Sequence, residues 1–327
     1  MLYALCFMFF ATGAVHADKG EFDLDRWFKV LNDVQTRAIA EKISPKTIDA
    51  VIQDAAFIPE AVHRDQNQSE FTLTLDEYLR RTVSKTRIDA GRETAKKYPT
   101  LLRRTDEKYG VPSNVILAFW GLESNYGNFK ARHKLSDAFL TLIYDGRREK
   151  FFTDQLIASM KITDKDHMPV ESLRGSWAGA MGHFQFIPTT YLQYGVDGNA
   201  DGKIDIINNV SDAMFSAGNY LNKMGWDKTE RIIREIALPA GFDMGLCDAK
   251  TKKDLVEWVA QGITNPDGSP LPRANMTAGI VCDTSSSDDS GVTLRAFLTY
   301  PNFYRIKKWN NSNFYAIAIA LLAEELK

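Results

Sequence analysis

The chain has 327 residues, 44% hydrophobic and 25% charged, with Lys+Arg 40 against Asp+Glu 42 and a net charge of −2. At about 150 residues per domain this is one large lobed domain or two ordinary ones, with apolar content enough for a core. The balanced charge argues against a nucleic-acid-gripping face, and the Gly and Pro content excludes a collagen-like or linker-like chain.

Residues 2–15 form an apolar run too short to span a membrane comfortably, followed by Val15-His16-Ala17 and then Asp18-Lys19. Small residues at that boundary predict an export signal over 1–17, cleaved after Ala17, although no Lys or Arg precedes the run. A retained helix in or on the membrane is the competing expectation. The residues before Cys6 lack the small side chain usual at a lipidated cysteine. Beyond the signal stand Cys247 and Cys282, which in an exported chain form either a disulfide or two buried thiols.

From about residue 23 to 235 the hydrophobic spacing is mostly helical. Leu24, Trp27, Phe28, Leu31 and Val34 share one helical face. Ser44-Pro45 has the form of an N-cap with Pro in the first turn, leading into Ile48, Val51 and Ile52. Leu75–Lys97 is one long amphipathic stretch ending at Tyr98-Pro99. After Leu238 turn-rich segments dominate (264–272 and 282–291), with short apolar pieces at 279–282 and 292–298 that suit strands. The helical pattern returns at 312–326 behind Ser312, a plausible cap.

Common catalytic signatures are missing. His63, His133, His167 and His183 show no zinc-protease spacing. The serine in 175–179 stands second, not third as in a nucleophile elbow. The residues around Lys203 lack the P-loop pattern.

The sharpest feature is the string 113–128. Val115 to Trp120 and Leu122 make a helix apolar nearly all round, hence buried, and Glu123 closes it before a turn in which Gly127 suits a helix stop. A carboxylate in a buried last turn faces the negative end of the helix dipole and loses solvent, and both effects favour the protonated acid. That is the state a glycosidase needs in its general acid. A Glu that reaches solvent or pairs with an Arg fits the string equally well. In the second string, 174–191, Gly179 and Gly182 allow close backbone approach. Trp177, Phe184 and Phe186 offer flat faces, while Gln185, Thr189 and Thr190 offer donors and acceptors. That mixture suits a pyranose, and it also suits a tightly packed helix pair.

These strings carry a resemblance. AFWGLESNYG (118–127), RGSWAGAMGHFQFIPTTYLQYGVDGNADGKID (174–205), SDAMFSAGNYL (211–221), PNFYRIKKWNNSNFYAIAIALLAEEL (301–326) and, more loosely, QSEFTLTLDEYL (68–79) resemble the lytic murein transglycosylases. The likeness is to their membrane-bound lytic transglycosylase B type (glycoside hydrolase family 103). The resemblance implies a mainly α fold: a lysozyme-like helical catalytic core with an N-terminal helical lobe and a small turn- and strand-rich insertion. The corresponding boundaries are a signal at 1–17 and a catalytic region at 18–327. Within the latter come a lobe at 22–110, a core at 111–237, an insertion at 238–300 and a C-terminal helix at 301–327 packing on the core.

The resemblance further implies that Glu123 is the single acid/base cleaving the β-1,4 bond between N-acetylmuramic acid and N-acetylglucosamine. The muramic acid C6 hydroxyl attacks C1 and leaves a 1,6-anhydro end without water, unlike two-carboxylate glycosidases. Substrate contacts carry over to Ser176, Gln185, Tyr220, Asn310 and Tyr315, and Trp309 stands where family members often have Tyr. A hydrolytic muramidase using the same Glu123, or a non-catalytic peptidoglycan-binding protein, remains the alternative.

Asp197, Asn199 and Asp201, with glycine at the sixth position and Ile204 at the eighth, open like an EF-hand loop, but position 12 is Asn208 rather than Glu. By resemblance the loop is a longer calcium site, with the Lys203 carbonyl as a ligand and Asp212 closing it. A plain Asx/Gly turn is the other reading. No cofactor is expected for catalysis, only a structural Ca2+. The expected partners are peptidoglycan glycan strands and other cell-wall enzymes, not nucleic acid, and the expected compartment is the periplasm, with membrane anchoring still open.

Overall fold

A computed structural model describes residues 22–66, 73–129, 131–166, 168–272, 274–283 and 295–327. Six helices open the described chain: α1 Leu24–Ala40, α2 Pro45–Ile52, α3 Pro59–Gln66, α4 Leu75–Thr82, α5 Lys85–Lys97 and α6 Pro99–Tyr109. Their starts are set by side-chain caps: Asp23 accepts from the N–H groups of Asp25 and Arg26, Ser44 from Thr47, and Thr74 forms a capping box with Glu77. The α1 stripe is narrower than the spacing predicts. Trp27, Leu31 and Val34 are buried, whereas Leu24 and Phe28 are 49% and 53% exposed. The stretch expected as one helix over 75–97 is two, because Ser84 caps a second start by accepting from the Arg87 N–H.

The central helix α7, Ser113–Ser124, buries every residue from Val115 to Gly121. Around it pack α5, α6, α11 Val210–Lys223 and α14 Asn313–Glu325. Beside it α8 Leu135–Asp145 and α9 Glu149–Asp166 pack as a pair, and α10 Pro188–Tyr194 lies on α9. A two-residue ladder pairs β1 His133–Lys134 with β2 Arg174–Gly175 and brings the following loop back towards α7. Three buried or half-buried acids fasten the first helices to this pair. Asp137 accepts from Ala56 N, Asp65 takes Arg147 and Arg148, and Asp164 takes the Ser44 and Thr47 hydroxyls.

A four-stranded antiparallel sheet follows, in the order β3 Ile233–Ile236, β6 Ala296–Thr299, β5 Thr277–Cys282, β4 Asp248–Asp254. Its register sets Ile280 opposite Leu298. One face packs on α12 Leu255–Ala260, whose buried Trp258 donates its indole N–H to the Ala278 carbonyl at 2.8 Å. Together they enclose a second hydrophobic cluster running from Ile236 to Tyr300. Cys247 and Cys282 are joined by a disulfide with Cα atoms 5.2 Å apart. The C-terminal segment is two helices rather than one, α13 Pro301–Trp309 and α14. Extended backbone at Asn310 breaks the path, and Ser312 caps the restart by accepting from the Tyr315 N–H. Among the described residues no helix is long and apolar enough to cross a membrane. The expected signal, 1–17, lies outside them.

Candidate active site

Glu123 occupies the last turn of α7 and is half-buried. Helical spacing puts it one turn beyond the fully buried Phe119 on the same face. The helix does not stop at Gly127 as its glycine suggests. It stops at Asn125, which is left-handed (φ 49°), and Tyr126 (φ 59°) and Gly127 (φ 87°) continue in that region. Two successive non-glycine residues in the left-handed region are strained backbone, held here by their surroundings. The Tyr126 hydroxyl donates to the Arg87 carbonyl at 3.0 Å, and the Ser124 hydroxyl accepts from Gly127 N and donates to the His183 carbonyl at 2.6 Å. At Gly127 an added Cβ would lie 2.6 Å from His183 Nδ1, so the turn is pressed against the second loop.

That loop, 176–187, folds on itself. Ser176 N donates to the Ala180 carbonyl and Ser176 Oγ accepts from Ala180 N. Gln185, another left-handed residue (φ 49°), donates its amide to the Gly182 carbonyl at 2.9 Å. A Cβ on Gly179 would stand 2.0 Å from the Phe139 ring. Phe184 and Phe186 are buried, so they support the loop from beneath and offer no open face to a sugar, which for these two rings is the packing alternative of the two readings. Thr189 likewise spends its hydroxyl and N–H on Gln155.

Trp309 holds the pieces together. Its ring lies 4.7 Å from Phe119 of α7, 5.2 Å from Phe186 of the loop and 4.8 Å from Tyr220 of α11. Glu123, Gln185, Tyr220 and Asn310 are each on one of these elements or next to one of these rings. Tyr220 is buried, and its hydroxyl donates to the Lys308 carbonyl at 2.8 Å, which spends it on holding α13. Burial, with Tyr194 alongside, pushes the Tyr220 hydroxyl up to about 12. Asn310 is half-buried between α13 and α14.

Tyr315, in the first turn of α14, donates its hydroxyl to Glu123 Oε1. Burial, and then the adjacent Glu123 carboxylate, hold that hydroxyl well above its ordinary range, so it stays a donor. The structure thus brings Glu123 and Tyr315 into contact and places Ser176 and Gln185 on the loop packed against the same helix end. Sequence reasoning missed Ser124 and His183, which lock helix to loop. Trp120 Nε1 donates to His183 Nδ1 at 3.2 Å, and burial lowers the imidazole's pKa, opposed by the Asp205 charge. The signal available for them was their adjacency to Glu123 and Gly182.

In the calcium-like loop, Asp197 accepts from the N–H groups of Ala200, Asp201 and Gly202. Asp201 accepts from Lys203 N and the Asn199 amide, and the buried Asp212 accepts from Gly198 N and Asp205 N. The donors are all oxygen and suit a hard cation in kind. Their arrangement is that of Asx turns, and no three acids, histidines or cysteines converge among the described residues.

The profile of the transglycosylase SLT domain family matches residues 26–324 of the chain. The chain belongs to the transglycosylase SLT domain family. This SLT-domain chain is 29% identical over 253 residues to membrane-bound lytic murein transglycosylase B of Escherichia coli strain K12. That match covers 76% of the chain and 66% of the relative, so it spans just under two thirds of the relative's length. Its fold superposes on SltB3 from Pseudomonas aeruginosa in complex with NAG-NAM-pentapeptide at a TM-score of 0.85 and 35% identity, over 92% of this chain and 79% of that one. SltB3 with NAG-anhNAM-pentapeptide gives 0.84 at the same identity and coverage. Escherichia coli Slt35 in complex with calcium gives 0.78 at 25% identity, over 92% of both chains.

Proposed function

We propose that this protein is a lytic transglycosylase that cuts the β-1,4 bond between N-acetylmuramic acid and N-acetylglucosamine in peptidoglycan, with Glu123 as its one acid/base. The observation that carries the reading is the Tyr315 hydroxyl bonded to Glu123 Oε1 at the end of a buried helix in a chain of this family. In the first step the Glu123 carboxyl gives its proton to the glycosidic oxygen as the bond from muramic acid C1 to that oxygen breaks. In the second, the carboxylate takes the proton of the C6 hydroxyl as O6 bonds to C1, which restores the acid and consumes no water. The 1,6-anhydro product matches the anhydro-sugar ligand found with SltB3.

Tyr315 fixes the carboxyl's rotamer, a pre-organised geometry that both proton transfers require. Ser176, Gln185 and Asn310 offer hydroxyl and amide groups to the sugar and acetamido oxygens. Tyr220 serves through α13, holding the segment that carries Trp309 and Asn310. The Asp197–Asp212 loop takes a structural Ca2+, using the carboxylates of Asp197, Asp201 and Asp212, the Asn199 amide and the Lys203 carbonyl. No catalytic step passes through it. An export signal at 1–17 places the enzyme in the periplasm, against the wall and within reach of other wall enzymes. The test is release of soluble muropeptides from purified sacculi. Wild type releases them and Glu123→Gln does not, at unchanged melting temperature; release by Glu123→Gln would remove the assignment.

A further inference from the structure

The edge strand β4 carries Lys250, Lys252 and Lys253, and the last turn of α13 carries Lys307 and Lys308. The two elements meet at Tyr304, whose hydroxyl donates to the Ala249 carbonyl at 2.8 Å. Lys252 Nζ stands 3.7 Å from the centre of the same ring. Lys307 and Lys308 follow Tyr304 by three and four residues, so they lie on that face of α13 one turn further on. Lys250 and Lys252 are both exposed, across a register shift in the strand, while Lys253 stands over Trp258. Burial, and then the charge of Lys250, push the Lys307 ammonium down, so these two cations feel each other.

Neighbouring arginines are paired, Arg295 with Glu235 and Arg305 with Glu230, but no carboxylate pairs with Lys250, Lys252, Lys307 or Lys308 among the described residues. The acid at the start of the strand, Asp248, already accepts from the N–H groups of Lys250 and Thr251. Lys307 Nζ is held by the Asn313 side chain at 2.8 Å. The row ends where the site begins. The Lys308 carbonyl receives the Tyr220 hydroxyl, Trp309 and Asn310 follow directly, and Asn313 opens the helix that carries Tyr315.

A gathering of cations with only Asp248 close by among the described residues favours an anionic ligand. The sugars of a peptide-bearing strand bring no charge, because the lactyl carboxyl of each muramic acid is tied up as the amide to its stem. The carboxylates of a peptidoglycan strand sit on the peptide stems attached to muramic acid. We propose that Lys250, Lys252, Lys307 and Lys308 form a cationic subsite that holds the carboxylates of the stem peptide while the glycan lies at Glu123. This rests on the peptidoglycan reading above and adds to it a preference for peptide-bearing over bare strands.

The experiment measures binding of two ligands to the full chain carrying Glu123→Gln, by calorimetry. One ligand is the disaccharide with its tetrapeptide stem, and the other is the same disaccharide with the lactyl carboxyl capped as its methylamide in place of the peptide. The peptide-bearing ligand is expected to bind about tenfold tighter or more, an advantage that shrinks as salt screens the charges. Adding Lys250→Gln and Lys252→Gln, both exposed on the strand, closes most of that gap, and adding Lys307→Gln closes it further. A gap that survives all three substitutions, or an equal loss for both ligands, overturns the subsite. Because binding is read apart from turnover, a protein that binds both saccharides yet never cleaves sacculi removes the catalytic reading and leaves the subsite standing. A protein that binds neither removes both.

Discussion

The Tyr315–Glu123 contact is where one side chain controls another's chemistry. Removing the hydroxyl takes away one charge-assisted hydrogen bond, and such bonds contribute about 1.5–3 kcal/mol. Tyr315→Phe is therefore expected to lower kcat about 10- to 100-fold with KM little changed, because the bond orients the acid rather than binding sugar. Steady-state kinetics on a soluble glycan substrate checks this; a raised KM at full kcat would show a binding role instead. Glu123 stands out in the sequence as a lone carboxylate closing an all-apolar run, but the run alone leaves its role open, and the proposed role comes from the family resemblance. The Tyr315 partnership was not legible as a contact, since 192 residues separate the two and only the fold closes that distance. Gln185, Asn125 and Tyr126 were equally hidden as strained positions. Each sits at positive φ without being glycine, an outcome imposed by tertiary packing against local preference.

At the scale of elements, the junction between the end of α7 and the 176–187 loop is the weak point under acid. His183 Nδ1 accepts from the Trp120 indole, so the folded state keeps the ring neutral with its proton on Nε2. Its folded pKa lies below the ordinary 6.5, chiefly through burial. The unfolded chain then takes up a proton that the folded one refuses, so this contribution to stability is present above 6.5 and is lost as pH falls below it. Urea unfolding midpoints are expected to drop between about pH 7.5 and about pH 5.5, and to drop less in His183→Gln. Equal slopes in the two proteins would show that His183 does not titrate with folding.

The Asp197–Asp212 loop makes a second prediction at this scale. Calcium at about 100 times its Kd would add about 2.7 kcal/mol, seen as a higher melting temperature that Asp201→Ala abolishes. Identical melting curves with calcium and with chelator would leave the loop as a set of Asx turns. Helix starts were largely legible, as Ser44 and Ser312 show by capping where their sequences suggest. Helix counts were not: Ser84 splits one expected helix and Asn310 another, because an amphipathic pattern continues across a short break.

For the molecule as a whole, a helical body with one large core carries a sheet with its own small core from Ile236 to Tyr300. The sheet's short, turn-bounded apolar pieces marked it as strand-bearing in the sequence, but its strand order, with β6 between β3 and β5, is a long-range outcome that no local pattern encodes. The sheet meets the helical body through Ala249, Val281 and Phe297, which belong to the large core, and through Tyr304, and α13 runs from there to Trp309 and Asn310 at the candidate site. The central claim for the assembled molecule is bond cleavage by an internal hydroxyl rather than by water. The most direct test is mass spectrometry of the soluble muropeptides that the wild-type protein releases from purified peptidoglycan. Products lighter by one water than reducing-end muropeptides, and absent with Glu123→Gln, are predicted; hydrated reducing ends that depend on Glu123 would contradict the account and make the protein a hydrolase.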